Sequence, residues 1–367
     1  MRKITLLSLL LLATTTLLAQ NTIRITSAAE IGDEMVFTMY STSSNDPLTV
    51  DWGDGTTTTH NISPNDIPYM QRVAGTLKGE TITITGNVVS LTATNLHITQ
   101  VEISNQTALT KLYLSQNEIT DISFIGDVAP LEILELNNNQ LTNSTENNPT
   151  LGLEIFSETL QSLNLNDNNL VCLNIESLVN LKSLYVKNNP LFTSIFIALP
   201  EESRNIEKID LSNGDLSHFY PITMPQLTSL HLSNNVLMED FVIDDYYPAL
   251  KYLSIDGNFI PQVDITACRD LEQFDCSRNQ LTTIDVSQNS QLTHLQCSSN
   301  RLTSLDVSNN VLLTTLRCDS NELKKIDVLK NTMLQNINIS SNPISYIDLT
   351  NTFNLKRFEA ANTLCDY

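Results

Sequence analysis

The chain has 367 residues, and its 41 Asp and Glu side chains outnumber its 20 Lys and Arg side chains, giving a formal net charge of −21. Binding to a phosphate backbone requires clustered cations that release counterions, and the sequence has no basic stripe. We therefore expect neither nucleic acid nor an anionic membrane surface as a partner, and we interpret the acidity as a source of solubility outside the cytosol.

The first twenty residues have the pattern of a secretory signal peptide. Arg2 and Lys3 precede an uncharged, mainly apolar run from Ile4 to Leu18, which is followed by a cleavage site after Ala19 or Gln20. The run is too short to be a good membrane span, and no later segment is apolar enough to cross a bilayer. We expect an exported protein that is secreted, periplasmic or associated with the cell surface, without a transmembrane segment.

Residues 21–87 precede the repetitive part of the chain and are predicted to form a small β module. The alternation of Leu48, Val50 and Trp52 predicts a short strand, and the Asp-Gly pair in Trp52-Gly53-Asp54-Gly55-Thr56 is typical of a tight turn. This WGDGT string resembles the turn motif of PKD-like β-sandwich modules. Glycine stands where a calcium loop needs oxygen ligands, so we predict a structural turn in a β-sandwich-like cap over the repeats.

From Val88 onward a repeat dominates the sequence. Six copies of L-x-x-L-x-L/C-x-x-N-x-L, with some leucines replaced by Ile or Phe and the last copy degraded, are spaced 21 residues apart and begin at Leu250, Leu271, Leu292, Leu313, Leu334 and Leu355. The same frame begins upstream at Leu109, Leu131, Leu160, Leu181, Ile206 and Leu227, with a degenerate copy at Val88. Residues 88–367 therefore hold about thirteen coils.

Within each coil the alternation of apolar residues, such as Leu295 and Cys297, predicts a short strand with one buried face. One coil cannot bury that face alone, whereas stacking at roughly 4.8 Å per strand gives a continuous core. The pattern resembles the leucine-rich-repeat family, which implies a β-rich solenoid of parallel strands. A 21-residue coil leaves little room for a helix, so we expect short strands or turns on its second side.

The ninth position of the coil is a column of asparagines. Buried amides are tolerated when they are hydrogen-bonded, and we expect backbone partners in the same and the neighbouring coil. We predict a structural ladder, with a local irregularity where Gly214 interrupts it. The column comprises Asn117, Asn139, Asn168, Asn189, Asn235, Asn258, Asn279, Asn300, Asn321 and Asn342.

Cys276, Cys297 and Cys318 occupy the sixth position of three consecutive coils and are predicted to stack in the core as free thiols. In-register neighbours lie about 4.8 Å apart, whereas disulfides need Cβ atoms nearer about 3.8 Å. Together with the string from Leu302 to Ser308 (L-T-S-L-D-V-S), this column resembles the cysteine ladder of secreted bacterial leucine-rich-repeat proteins of the internalin J-like type. Cys172, Cys268 and Cys365 have no assigned role.

A second column of like charges lies on the other side of the coils. Stacked carboxylates roughly 5 Å apart in water repel by about 1 kcal/mol. A calcium ladder would relieve this repulsion, but screening by solvent and by nearby Ser and Thr hydroxyls is the simpler explanation, so no metal is predicted. The column comprises Asp264, Asp285, Asp306, Asp327 and Asp348.

The sequence contains no nucleophile signature, phosphate loop or metal-ligand spacing of its five His residues, so we predict neither an enzyme nor a cofactor. The third, fifth and seventh positions of each coil point outward. Aromatic and Arg side chains dominate protein interfaces, so exceptions to the polar background there are candidates for a ligand-binding face. These candidates are Tyr113, Tyr185, His231, Tyr252, His294, Arg317 and Arg357.

The favoured function is a non-catalytic exported binding protein that recognises a protein partner through this face. The internalin-like resemblance implies adhesion or binding of a host or cell-surface protein. The alternative is a structural or carbohydrate-binding cell-envelope component that binds a glycan through the WGDGT module, with the solenoid as a spacer. The insertion from Met238 to Pro248 is either a recognition loop or a solvated loop.

Overall fold

The computed structural model describes residues 21–41, 47–62, 71–127, 130–143, 150–196, 205–219, 222–243 and 246–364. The predicted signal peptide (1–20) and Cys365 lie outside the described residues. Within them, no helix is long and apolar enough to cross a membrane.

The N-terminal module consists of six strands that join the solenoid through two sheets. Its strands are β1 (Thr22–Ser27), β2 (Glu34–Ser41), β3 (Leu48–Asp51), β4 (Thr57–His60), β5 (Gln71–Thr76) and β6 (Thr81–Thr85).

The rest of the described chain forms nineteen further strands and one short 3-10 helix, Leu153–Phe156. In chain order the strands are β7 (Val88–Thr92), β8 (Ile98–Ser104), β9 (Lys111–Tyr113), β10 (Asp121–Ile125), β11 (Ile133–Glu135), β12 (Ser162–Asn164), β13 (Cys172–Asn174), β14 (Ser183–Tyr185), β15 (Ser194–Phe196), β16 (Lys208–Asp210), β17 (Ser229–His231), β18 (Phe241–Val242), β19 (Tyr252–Ser254), β20 (Val263–Asp264), β21 (Gln273–Asp275), β22 (His294–Gln296), β23 (Thr315–Arg317), β24 (Asn336–Asn338) and β25 (Arg357–Glu359).

The main sheet has fifteen strands in the order β25-β24-β23-β22-β21-β19-β17-β16-β14-β12-β11-β9-β7-β2-β5. Thirteen of them, from β7 to β25, pair in parallel and bound twelve turns of the chain, while β2 and β5 come from the module. The register is constant: Leu295 pairs with Leu316, and Leu316 pairs with Ile337. The prediction of a parallel β-solenoid with short coils is confirmed.

The module continues both walls of the solenoid. β2 pairs antiparallel with the first coil strand β7, and β1 pairs antiparallel with β8 in a second sheet of order β10-β8-β1-β6-β3-β4. One hydrophobic core therefore runs from Ile23 in the module to Ala360 in the last coil. Continuing the walls caps the first coil, because its apolar interior meets the module and not water.

The WGDGT string is a structural turn. Asp51 Oδ1 accepts hydrogen bonds from the Gly53 and Gly55 backbone N–H groups at 2.9 and 3.1 Å. Trp52 is only 2% exposed, and its indole stacks on Phe37 with ring centroids 5.9 Å apart. A Cβ at Gly75 would lie 2.2 Å from the indole, so this position needs glycine. The string thus closes the module core.

The ninth-position asparagines make one repeated set of hydrogen bonds. Asn321 Nδ2 donates to the backbone carbonyls of Cys297 and Cys318, both at 3.0 Å, and its Oδ1 accepts from the Leu302 N–H at 3.0 Å. One amide thus joins its own coil to the preceding coil from both ends. Asn300 makes the same bonds although it is only half-buried.

Gly214 takes the ninth position in the coil that begins at Ile206, and the packing around it changes. A Cβ there would lie 2.9 Å from Asn235 Oδ1 and 3.2 Å from the Phe192 carbonyl oxygen. In the preceding coil Phe192 is buried, while Leu191 is turned outward and 59% exposed. The missing asparagine therefore coincides with a displaced apolar side chain.

A second, shorter asparagine column lies at the nineteenth position and is absent from the sequence predictions. Asn289, Asn310 and Asn331 are fully buried in three consecutive coils. Asn310 Nδ2 donates to the carbonyls of Val286 and Asn289, both at 2.9 Å. The Oδ1 atoms of all three asparagines have no hydrogen-bond partner within the described structure.

The stacked cysteines are buried free thiols. Cys276 and Cys297 each donate through Sγ to a backbone carbonyl of the next coil, those of Gln296 and Arg317, at 3.5 Å. Burial raises the pKa of Cys318 to about 12, so this thiol stays protonated at neutral pH. Cys172 and Cys268 are also buried and free.

Candidate binding face

Each short strand of the main sheet exposes two side chains and buries the one between them. In β23, Leu316 is fully buried, while Thr315 is partly exposed and Arg317 is exposed. Since successive side chains of a strand point to opposite sides, the third and fifth positions of every coil line one surface. We call the surface formed by these two columns, from β7 to β25, the strand face.

All seven predicted binding residues lie on the strand face. Tyr113, Tyr185, His231 and Arg317 are in the fifth-position column, and the other three are in the third-position column. Arg317 and Arg357 are exposed and the other five are partly exposed. The third-position residues are Tyr252, His294 and Arg357.

Five of these residues come together at the C-terminal half of the strand face. His231, Tyr252 and His294 line a depression of about 250 Å³. His294, Arg317 and Arg357 line a second depression of about 310 Å³. His294 and Gln296 border both, so the two depressions adjoin each other, and we call the pair the groove. Tyr113 and Tyr185 lie on earlier strands and line neither depression.

Neighbouring side chains orient the groove residues. The Tyr252 hydroxyl donates to Glu272 Oε2 at 3.4 Å, and Gln296 Nε2 donates to Asp275 Oδ2 at 3.1 Å. His294 Nδ1 lies 2.9 Å from Thr293 Oγ1, within hydrogen-bond distance. These hydrogen bonds restrict the rotamers of the Tyr252, Gln296 and His294 side chains.

The strand face carries charges of both signs along the solenoid. Its fifth position carries carboxylates at Glu135, Asp210, Asp275 and Glu359 and arginine at Arg317, while its third position carries Lys111, Lys208 and Arg357. Burial raises the pKa of Asp275 and of Glu135. The sequence as a whole becomes less acidic toward its C-terminus: residues 1–300 hold 34 Asp and Glu against 13 Lys and Arg, whereas residues 301–367 hold seven of each.

The eighth position forms a column that sequence reasoning missed. In all thirteen coils this residue has a left-handed backbone, with φ between 52° and 67°, which turns the chain sharply after the strand. Asn tolerates this conformation best after Gly, and six of the thirteen residues are Asn, so the signal was present in the sequence. They are Asn95, Asn138, Asn188, Asn213, Asn234 and Asn362.

These eighth-position side chains also bond to one another at the edge of the strand face. Asn188 Nδ2 donates to Asp167 Oδ1 at 2.7 Å, and Asn234 Nδ2 donates to Asn213 Oδ1 at 2.7 Å. Arg278 continues the row with an ion pair to Asp256. Burial tends to raise the pKa of Asp256, but hydrogen bonds from Ser233, Arg278 and Ser254 outweigh it and lower the pKa.

The insertion from Met238 to Pro248 is neither a free recognition loop nor a fully solvated one. Phe241 is buried, and Tyr247 is 1% exposed with its ring in the core. Burial raises the pKa of the Tyr247 hydroxyl. Met238 is exposed, and Asp244 and Asp245 lie outside the described residues. The two ends of the insertion are thus anchored by aromatic side chains that the sequence pattern did not reveal.

The aspartates on the second side of the coils cap turns. Asp306 Oδ1 accepts a hydrogen bond from the Ser308 N–H at 2.9 Å, and Asp285 and Asp348 bond the residue two positions on in the same way. These are Asx turns, which need no metal. Among the described residues there is no cluster of His, Cys, Asp and Glu that could hold a metal ion.

Comparison with known sequences identifies the repeat. Residues 107–149 match the family model described as Leucine Rich repeats (2 copies). Lumican from Mus musculus and from Rattus norvegicus is 29% identical over 171 residues, which are 44% of this chain and 47% of lumican. The chain thus spans about half the length of these curated relatives.

Solved structures share the fold. The functional domain of InlJ from Listeria monocytogenes, which includes a cysteine ladder, gives a TM-score of 0.63 at 22% identity over 78% of this chain and 66% of that chain. A leucine-rich-repeat protein from Leptospira interrogans gives 0.57 at 22% over 69% and 72%, and the leucine-rich effector YopM from Yersinia pestis gives 0.57 at 22% over 75% and 78%. The protein is thus a leucine-rich-repeat solenoid in fold.

Proposed function

We propose that this protein is an exported, non-catalytic binding protein that recognises a protein partner through the strand face. The observation that carries the proposal is the groove, where His231, Tyr252, His294, Arg317 and Arg357 line two adjoining depressions. Solenoids of this kind offer extended surfaces for binding, and Tyr and Arg supply most of the binding energy in protein interfaces. Tyr113 and Tyr185 extend the same surface toward the N-terminus.

The fold does not require the identity of these side chains. Each strand is held by its buried middle residue and by the ninth-position asparagine, whereas the third and fifth positions tolerate Ser, Thr, Lys, Gln and Asn in other coils. Because stability does not constrain which residues occupy these positions, partner binding can determine them. Export, and adhesion to a host or cell-surface protein, are proposals that depend on residues 1–20 and on the internalin-like resemblance.

The test compares two triple variants. Partners captured from host-cell surface extracts by the protein without residues 1–20 are identified, and their affinity is measured by surface plasmon resonance. The variant Tyr185→Ser/Tyr252→Ser/Arg317→Ser should weaken binding by more than about 1 kcal/mol if any of the three is an anchor, and should change stability by less than about 0.5 kcal/mol. The control is Arg301→Ser/Tyr346→Ser/Phe353→Ser, three exposed residues outside the strand face.

If the first variant binds normally while deletion of the N-terminal module abolishes binding, the strand-face proposal is wrong. The solenoid would then be a spacer, as in the envelope-component alternative. The glycan version of that alternative has no support from Trp52, because its indole is enclosed by Phe37 and Gly75 and offers no face to a sugar.

A further inference from the structure

Arg317 differs from the other cations around the groove in having no ionic partner. Arg357 is paired with Glu359, with Nη2 and Oε1 2.5 Å apart, and Arg278 is paired with Asp256. Among the described residues Arg317 makes neither an ion pair nor a side-chain hydrogen bond, although the protein is strongly acidic overall. Its guanidinium is exposed and has five donors available.

The surroundings of Arg317 supply more donors, and the carboxylate two residues on, Asp319, accepts a hydrogen bond from Ser298 Oγ at 2.6 Å. Asn338 and Gln296 flank it in the fifth-position column, and Thr315 and Asn336 lie beside it in the third-position column. Glu359, the carboxylate that lines this depression, forms an ion pair with Arg357. Upstream in the same column, the Asp275 carboxylate already accepts a hydrogen bond from Gln296. The carboxylates around Arg317 therefore already have partners, and its guanidinium is left without one.

We propose that Arg317 binds a carboxylate of the protein partner. A peptide segment of the partner then lies along the groove with its acidic group over β23. The inference rests on the proposed function and adds to it the chemistry of the partner and its direction. A planar guanidinium binds carboxylate through two parallel hydrogen bonds, and amide side chains on the adjacent strands complete the donor set. Asp275, which lines the upstream depression, then repels an acidic group from that end of the groove, which fixes the direction of the segment.

A synthetic array of random peptides, printed once with free C-termini and once with amidated C-termini, tests the proposal. The array is probed with the labelled protein, and the peptides that bind are remeasured by fluorescence polarisation. We expect the bound peptides to be enriched in Asp or Glu, or to require the free C-terminus. The first pattern identifies a side-chain carboxylate and the second a terminal carboxylate.

Arg317→Gln should lower the affinity for these peptides by about tenfold or more, because a charge-assisted bidentate pair is lost. The matched control Arg301→Gln removes the same charge from an exposed residue outside the strand face and should leave affinity unchanged. The loss should shrink at high salt, because screening weakens the wild-type interaction.

An array that yields no binders, or binders without a carboxylate preference, overturns the proposal, as does equal affinity for wild type and Arg317→Gln. Tyr252→Ser separates this failure from failure of the proposed function. If Tyr252→Ser weakens peptide binding and Arg317→Gln does not, the groove binds peptides but Arg317 does not bind their carboxylate. If neither substitution matters, the groove itself is not the binding site.

Discussion

Two columns of asparagine run through the interior, and their amides are satisfied differently. At the ninth position both ends of the amide are used: Asn321 donates to three carbonyls and accepts from the Leu302 N–H. At the nineteenth position only the nitrogen is used: Asn310 donates to two carbonyls, and its Oδ1 has no partner in the described structure. The same residue, equally stacked, thus uses its whole amide at one place and only its nitrogen at the other.

The difference arises from the backbone. After the strand, the left-handed eighth residue turns the chain, and the ninth side chain meets carbonyls of two coils and an N–H of the preceding coil. A side-chain amide serves both kinds of group, and ten of the thirteen coils carry Asn there, the others having Leu96, Gly214 and Thr363. The nineteenth position offers carbonyls alone, so Cys268 and Thr352 take it in the neighbouring coils.

The largest effect is therefore expected at the ninth position. Asn321→Ala leaves the buried Leu302 N–H without a partner and removes three donated bonds, and it should lower the free energy of unfolding by about 2 kcal/mol. Urea unfolding followed by circular dichroism measures this loss. A loss no greater than that of the corresponding variant at the nineteenth position would contradict our comparison.

A smaller effect is expected at the nineteenth position. Asn310→Thr removes a buried amide whose oxygen is already unsatisfied, and the threonine hydroxyl can donate to a carbonyl as that of Thr352 does to the Leu349 carbonyl at 2.7 Å. The free energy of unfolding should fall by about 1 kcal/mol or less. The same urea titration measures it, and a loss equal to that of Asn321→Ala would mean that the Oδ1 atom has a partner, such as an internal water.

The sequence predicted the regular parts of this molecule well, because they are set by short-range alternation and a constant period. The buried Leu of each strand, the ninth-position column and the stacked thiols all follow from the 21-residue spacing. The nineteenth-position column has the same spacing at Asn289, Asn310 and Asn331 and was open to the same reasoning. It was missed because it lies outside the leucine-rich signature.

Other features could not be predicted from the sequence, for physical reasons. Which aromatic of an insertion turns inward, as Tyr247 does, depends on space left by neighbouring coils and not on local pattern. The joining of the module to both walls depends on pairing of β1 with β8 and of β2 with β7, contacts distant in the chain. The groove likewise emerges only when the third and fifth positions of several coils are brought side by side.

The smallest effect is expected at a third column, the aspartates on the second side of the coils. Asp306 accepts hydrogen bonds from the backbone and side chain of Ser308, which lower its pKa from the ordinary value of 3.8. A carboxyl whose pKa is lowered by folding contributes stability above its unfolded pKa and loses it as the pH falls through the folded pKa. Asp306→Asn keeps an oxygen acceptor for the turn but removes the charge.

Two effects oppose each other in that variant. The Ser308 N–H loses a charged acceptor, which lowers stability at neutral pH, while the stacked Asp285 and Asp327 are relieved of a like charge, which raises it. We expect Asp306→Asn to melt within a few degrees of wild type at pH 7, and the two melting curves to converge as the pH falls through the folded pKa of Asp306, which lies below the ordinary value of 3.8. Glu322→Gln, an exposed carboxyl outside the column, is the control. A difference in melting temperature that persists unchanged into acid would show that geometry and not charge distinguishes the two side chains.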